Sequence, residues 1–457
     1  MRIFNSACLG LALLVSLPLW SQEEQRTIAA PAATTPLVSV SRSGDEPDRM
    51  LTPPPVSGEA YPLWLGSEER ANYLRGGVTF SAAYSDNVLG ATSATPVSDL
   101  SCSVWPTISL DETTSRLHAA LTYAPGFTFY QRTSAYNEAD QNLSLDLQYR
   151  LSPHVTVSLR DSFQRSSNVF NQPDQGLAGA VSGSAQEAND SVIAPLADRL
   201  DNNGNAGITY QFSVNAMIGA SGTFTNLHYP DPAEVPGLYD AASRGASAFY
   251  SYRLSRQNYI GATYQYQELL SYPAPVTNET QTHGAFLFYT YYPSSRFSFS
   301  LFGGPQYYSA GPQYAGAGLA NVPAAQSWSP AGGASLNWQV QHSSVAVSYL
   351  HSVSGCGGLI GAVELDSANA SVRQRIARNL SASLAGSYAN NGVLAVSALG
   401  GHSFSGSASL QRQFGQHVNL QVGYTRLHQN YSFFAANPDT NREWISISYQ
   451  FARPLGR

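Results

Sequence analysis

From Gly77 onward the chain alternates apolar and polar residues in stretches of about ten, the length of a membrane-crossing strand, and this period of two constrains it more than any other feature. In Asn142–Leu151 (NLSLDLQYRL), Leu143, Leu145, Leu147, Tyr149 and Leu151 share one face, and Ser144, Asp146, Gln148 and Arg150 share the other. Val155, Val157 and Leu159 oppose Thr156, Ser158 and Arg160 after a turn at Ser152–His154. His417–Thr425 repeats the pattern. Side chains alternate across a pleat, so these stretches read as half-buried strands.

The connections are regular too. Short turns fall near Thr113–Ser115, Ser152–His154, Ser213–Asn215, Ser255–Gln257, Pro293–Ser295, Gln341–Ser343, Ala377–Asn379 and Gly415–His417. Longer polar connections lie between them, the longest at Asn168–Asn203. Eight short turns join sixteen strands, and one more at each end makes eighteen, with sixteen to eighteen as the range. Even strand number, short turns on one rim and long loops on the other define a closed antiparallel transmembrane β-barrel, all-β, with periplasmic turns and extracellular loops. Closure has a physical cause: lipid offers no hydrogen-bond partner, so a sheet there leaves no edge. A soluble sandwich, jelly roll or propeller also alternates, but does not require the alternation of short and long connections.

Composition agrees. Only 12% of residues are charged, about half the roughly 25% usual for soluble domains, because one face of nearly every strand meets lipid. The basic residues are 24 Arg and no Lys, and the net charge of -6 removes the basic surplus that nucleic-acid binding needs. Aromatics at 11% exclude a disordered chain. Tyr149, Tyr252, Tyr292, Trp338 and Phe414 precede short turns, and Tyr229, Tyr272, Tyr308 and Tyr431 flank long loops, as two interfacial belts would.

Residues 1–21 carry Arg2, an apolar run from Ala7 to Trp20 and a polar exit, the order of a secretory signal. The run is shorter than the roughly 20 residues of a spanning helix. Residues 22–75 read as a Pro-rich periplasmic linker, with a short helix expected over Glu68–Leu74 behind Ser67 as N-cap. The barrel is assigned to residues 76–457. Outside the cytoplasm a bond between Cys102 and Cys356 is allowed.

The last strand, Arg442–Phe451, places Ile445, Ile447, Tyr449 and Phe451 on one face. A final amphipathic strand ending in Tyr and Phe resembles the assembly signal of bacterial outer-membrane proteins, although Ala452–Arg457 follow it here. With Arg75–Ser81 (RGGVTFS), Tyr84–Asn87 (YSDN), the Tyr-x-Leu-Ser turns and Ser448–Gly456, the body resembles the porin barrels grouped with exopolysaccharide-operon outer-membrane proteins. That resemblance implies an outer-membrane pore, with exopolysaccharide export as a narrower expectation. It implies outer-membrane lipid, the barrel assembly machinery and a hydrophilic solute or polysaccharide as partners. It brings no catalytic residue, and no metal or cofactor is expected.

The pleat rule names the lumen. Ser144, Asp146, Gln148 and Arg150 on the fourth strand face inward, with Thr156, Ser158 and Arg160 on the fifth. Ser247, Ser251 and Arg253 do so on the eighth, and Ser367, Asn369, Ser371, Arg373 and Arg375 on the fourteenth. Arg150, Arg253 and Arg375 lie beside short turns, so a basic collar at the periplasmic rim is expected, biasing passage toward anionic or hydroxyl-rich solutes. The plainer alternative pairs each Arg with a lumenal acid such as Asp146. A third reading is a structural or adhesive barrel, blocked by Asn168–Asn203 or the N-terminal segment, that binds through its loops.

Overall fold

The computed structural model describes residues 50, 72–90, 96–166, 198–231, 238–273, 276–294, 296–312, 323–355, 361–394, 400–431 and 439–455. Eighteen antiparallel strands form one sheet: β1 (Tyr73–Ser85), β2 (Asp99–Thr113), β3 (Leu117–Tyr130), β4 (Glu138–Arg150), β5 (Val155–Ser166), β6 (Arg199–Ser213), β7 (Ala216–His228), β8 (Ala241–Arg253) and β9 (Asn258–Ser271) make the first half. β10 (Asn278–Ser294), β11 (Phe297–Ala310), β12 (Ala325–Gln339), β13 (Ser343–Ser354), β14 (Val363–Ala377), β15 (Leu380–Val393), β16 (Gly400–Phe414), β17 (Val418–Tyr431) and β18 (Asp439–Pro454) make the second. Each strand pairs with its sequence neighbours, and β1 pairs with β18 from Tyr73↔Pro454 to Ser85↔Arg442, which closes the barrel.

The eight short turns stand where the alternation places them, and serine explains several. Ser152 Oγ accepts the His154 and Val155 N–H groups at 3.2 and 3.1 Å, and Ser255 Oγ accepts Gln257 N–H at 3.2 Å. Thr114 Oγ1 does the same for Leu117 N–H at 3.0 Å. The Ser of Tyr-x-Leu-Ser thus supplies the acceptor that a tight turn lacks. In the turn before β17, Gly415 has φ +62°, open to glycine at no steric cost.

The outer face is apolar and exposed: Leu287 is 68% exposed, Leu384 60% and Leu301 48%. Trp338 and Trp328, both outward on β12, are 49% and 67% exposed. Ten residues at ~3.3 Å each, tilted by about 40°, separate them by about 25 Å, the height of an outer-membrane apolar band. A closed, even-stranded barrel with such a band is an outer-membrane protein. On the closing pair, Phe451 lies over Gly76, where any Cβ would overlap its ring.

Three expectations change. β1 starts at Tyr73, so Tyr73 and Leu74 are strand, not the end of a helix; their alternation with Arg75 is continuous with the barrel. The rest of that helix, the signal, nearly all of the linker, Cys356 and most of Asn168–Asn203 lie outside the described residues, while β6 already begins at Arg199. Cys102 is disulfide-bonded. The upper aromatic belt keeps the expected Tyr272, 41% exposed, but is otherwise made by other residues than expected. Tyr229 and Tyr431 are 1% exposed, and Tyr308 faces inward. Their parity points them into the barrel, while Tyr84, Tyr264, Trp328, Tyr349, Tyr388 and Tyr424 face lipid. Tyr292, expected in the lower belt, is 7% exposed and inward for the same reason.

Two proline pairs interrupt the ladders. Pro106 stands opposite Pro125 in β2–β3, where register is lost from Trp105 to Thr107 and then resumes unchanged. Pro305 stands opposite Pro330 in β11–β12, whose own ladder is continuous. Here the β12–β13 ladder suffers: it runs from Gln339↔Ser344 to Gly332↔His351 and stops, although both strands continue. In the same register Ala331 would next oppose Ser352, and Pro330, which has no N–H to give, would then oppose Val353.

Candidate functional site: the barrel lumen

The inner wall is largely hydrophilic, with small polar residues at most inward positions. Ser383 bonds Ser409 at 2.7 Å and Ser387 bonds Ser405 at 2.6 Å across β15–β16. Between them β10 and β11 carry an aromatic cluster: Phe286, Phe288 and Phe302 are 4%, 4% and 9% exposed, packed with Ala331, Phe249 and Leu350. The Tyr-rich stretch Phe286–Tyr292 therefore divides, with Phe286, Phe288 and Tyr292 inward and Leu287, Tyr289 and Tyr291 outward. At 4% exposure the two phenylalanines are not open to a sugar ring.

The expected lumenal residues point inward on β4, β5, β8 and β14, as their ladder partners require. Arg160 Nε donates to Asp146 Oδ2 at 3.0 Å, with side chains 52% and 30% exposed. Arg373 donates to Gln411 Oε1 at 2.9 Å, and Arg375 is exposed. Arg150 is half-buried at the end of β4. Arg253 is 9% exposed and donates to Asn215 Oδ1 at 3.0 Å, which directs it into the wall. Pleat parity adds Arg75 on β1 and Asp111 on β2, neither singled out by the turn pattern. The periplasmic half of the described lumen thus carries Arg75, Arg150, Arg160, Arg253, Arg373 and Arg375 against Asp111 and Asp146. The extracellular half reverses this, with Asp99, Glu138, Asp140 and Asp201 against Arg199 and Arg442. The last-strand residues Ile447, Tyr449 and Phe451 face lipid at 36%, 48% and 49% exposure, and Ile445 shares their face.

Two contacts narrow the lumen. At the periplasmic rim Met50 is 4% exposed among Met217, Tyr259 and Tyr292, and its N–H donates to Gln211 Oε1 at 3.0 Å. Those partners sit on β6, β7, β9 and β10, across the barrel from β1. At the extracellular end Val353 and Ala362 pack with Leu269 and Leu394, against Tyr308. Gln306, 6% exposed on the inner face of β11, accepts Val353 N–H at 2.9 Å and donates to its C=O at 3.2 Å. Pro330 inside β12 was a sequence signal near the second contact, and Gln306 is a single residue of ordinary type.

The class is therefore an outer-membrane β-barrel with a largely hydrophilic lumen and one aromatic cluster on its inner wall. No protein-family model matches the chain, and no curated protein matches its sequence. Among solved structures, OccK2 (OpdF) from Pseudomonas aeruginosa is 10% identical, over 83% of this chain and 98% of its own, with TM-score 0.42. The outer membrane protein OpdK of the same organism is 11% identical, over 83% and 99%, with TM-score 0.39. The FrpB iron transporter from Neisseria meningitidis is 11% identical over 81% of this chain, which spans 63% of that transporter's length, with TM-score 0.39. Similarities of this size bear on no residue and no solute.

Proposed function

We propose that this barrel is an outer-membrane pore for hydrophilic solutes, with an arginine-biased periplasmic half that favours anionic or hydroxyl-rich ones. The observation that carries this is the inward charge distribution: among the described residues, arginines from β1, β4, β5 and β14 stand around the periplasmic half with Asp111 and Asp146 among them. Charged rings select ions by sign, and a lumen of low dielectric strengthens the effect. The serine-rich wall of β15 and β16 offers hydroxyls to a hydroxylated chain, which supports exopolysaccharide as a narrower form of the same reading.

Reversal potentials of single channels in a salt gradient test it. The expected result is anion preference that falls by at least half in Arg150→Ala plus Arg375→Ala. Cation preference, unchanged by that double substitution, overturns the collar. A barrel that passes no current in any form leaves the adhesive reading.

A further inference from the structure

We propose that the inner wall of β4–β6 is a binding patch for a neutral, hydroxyl-rich chain, that is, a saccharide. Successive ladder rows build it. One row is Ser144↔Ser162↔Asn203, and the row below is Asp146↔Arg160↔Asn205. Asn142 and Gln164 face each other one rung above. All share the inward parity of their pleats. The patch is open to the lumen: Ser144 and Ser162 are exposed, and the side chains of Arg160 and Asp146 are 52% and 30% exposed.

Elsewhere on the inner wall, facing hydroxyls satisfy each other. Ser221 bonds Ser247 at 2.7 Å and Thr225 bonds Ser243 at 2.8 Å across β7–β8, as the serines of β15–β16 do. On β4–β6 they do not. Among the described residues, the side chains of Asn142, Ser144, Ser162, Gln164, Asn203 and Asn205 make no hydrogen bond, and Gln164 Nε2 and Asn203 Oδ1 are buried in that state. Buried amide groups without a partner are costly, and a ligand hydroxyl supplies the partner. Terminal amide torsions are soft, so both groups can turn toward it. A carboxamide offers a donor and an acceptor together, which matches a hydroxyl that gives one bond and takes another. Arg160 is held by Asp146 at 3.0 Å, so the patch presents polarity without surplus positive charge and suits a neutral ligand over an anion. Two strand spacings by two side-chain repeats make it about 10 by 13 Å, room for linked rings and not for a single ion. The inference deepens the pore reading and rests on it for the solute's access to the lumen.

Binding and current are measured separately, so the two readings fail separately. Isothermal titration of the full chain in detergent with cellotetraose, a neutral chain, should give saturable heat. Gln164→Ala plus Asn203→Ala should weaken that binding at least fivefold. Gln164→Glu plus Asn203→Asp, which keeps the side-chain volume and removes the amide donors, should do the same. Ser221→Ala plus Ser247→Ala, on the satisfied β7–β8 pair, should stay within twofold of the unaltered chain. All of these side chains point away from lipid, so each variant should unfold at the same urea concentration as the unaltered chain. Equal affinity in all four proteins, or heat in none, overturns the patch. Tetragalacturonate bound at least fivefold tighter than cellotetraose overturns the neutral ligand class. In planar bilayers, current from a chain that binds no saccharide keeps the pore reading and removes the patch. Binding in a chain that passes no current removes the pore reading and keeps the patch.

Discussion

The two proline pairs remove donors from different ladders, Pro106 and Pro125 from the one between them and Pro305 and Pro330 from β10–β11 and β12–β13 on either side, and the gaps end differently. At β2–β3, Pro106 and Pro125 remove donors, yet the ladder resumes from Val104↔Phe127 upward in unchanged register. Trp105, 2% exposed, covers the gap from inside by lying on Gly126, where a Cβ would overlap its ring. Above the gap Ser103 and Thr128 bond at 2.9 Å, and Asp99 accepts N–H groups of Leu100, Arg132 and Thr133 at 2.7, 3.0 and 2.8 Å. At β12–β13 the ladder does not resume, and Val353 beyond the break finds its hydrogen-bond partner on a third strand, at Gln306. A ladder survives a lost donor when side chains on both sides hold the register; without them the strand finds another wall.

Four substitutions bear on that contrast. The largest effect is expected from Trp105→Ala, which opens a cavity over the β2–β3 gap and should cost about 3–5 kcal/mol, read by urea unfolding in lipid vesicles. A loss below ~1 kcal/mol would mean the ring is not the seal. Gln306→Ala strands a buried N–H and C=O of Val353 and should cost about 2 kcal/mol in the same assay, with faster amide exchange at Val353. Pro330→Ala restores the donor and should favour extension of the β12–β13 ladder beyond Gly332↔His351 by about 1 kcal/mol, seen as slowed amide exchange at position 330. Asp99→Asn is the mildest: it keeps the acceptor oxygen and loses the charge, so trypsin should cut after Arg132 a few-fold faster while the barrel unfolds at the same urea concentration.

Much of the barrel was legible because alternation and turn serines act locally. Strand number, turn positions and the inward sense of Asp146, Arg160 and Arg375 follow from parity alone. Parity was also what the aromatic belts needed: distance from a turn gives height, not side, so Tyr292 and Tyr431 were assigned to lipid although both face inward. The Gln306–Val353 contact was beyond reach for another reason. Gln306 and Val353 are 47 positions apart and belong to non-neighbouring strands, so no periodic signal links them. Met50 and Gln211, 161 positions apart, pose the same difficulty.

Gly76 beneath Phe451 has a consequence for how the cylinder is finished. The first and last strands are the only neighbours without a turn to align them, so nothing in the chain's connectivity sets their offset. A slip of two residues would drive the Phe451 ring against Leu74 or Val78, which have side chains where Gly76 has none. The single vacancy works as a keyhole: of all the offsets at which the ends of this chain could meet, it admits one, and the cylinder is stapled shut at the correct circumference and tilt.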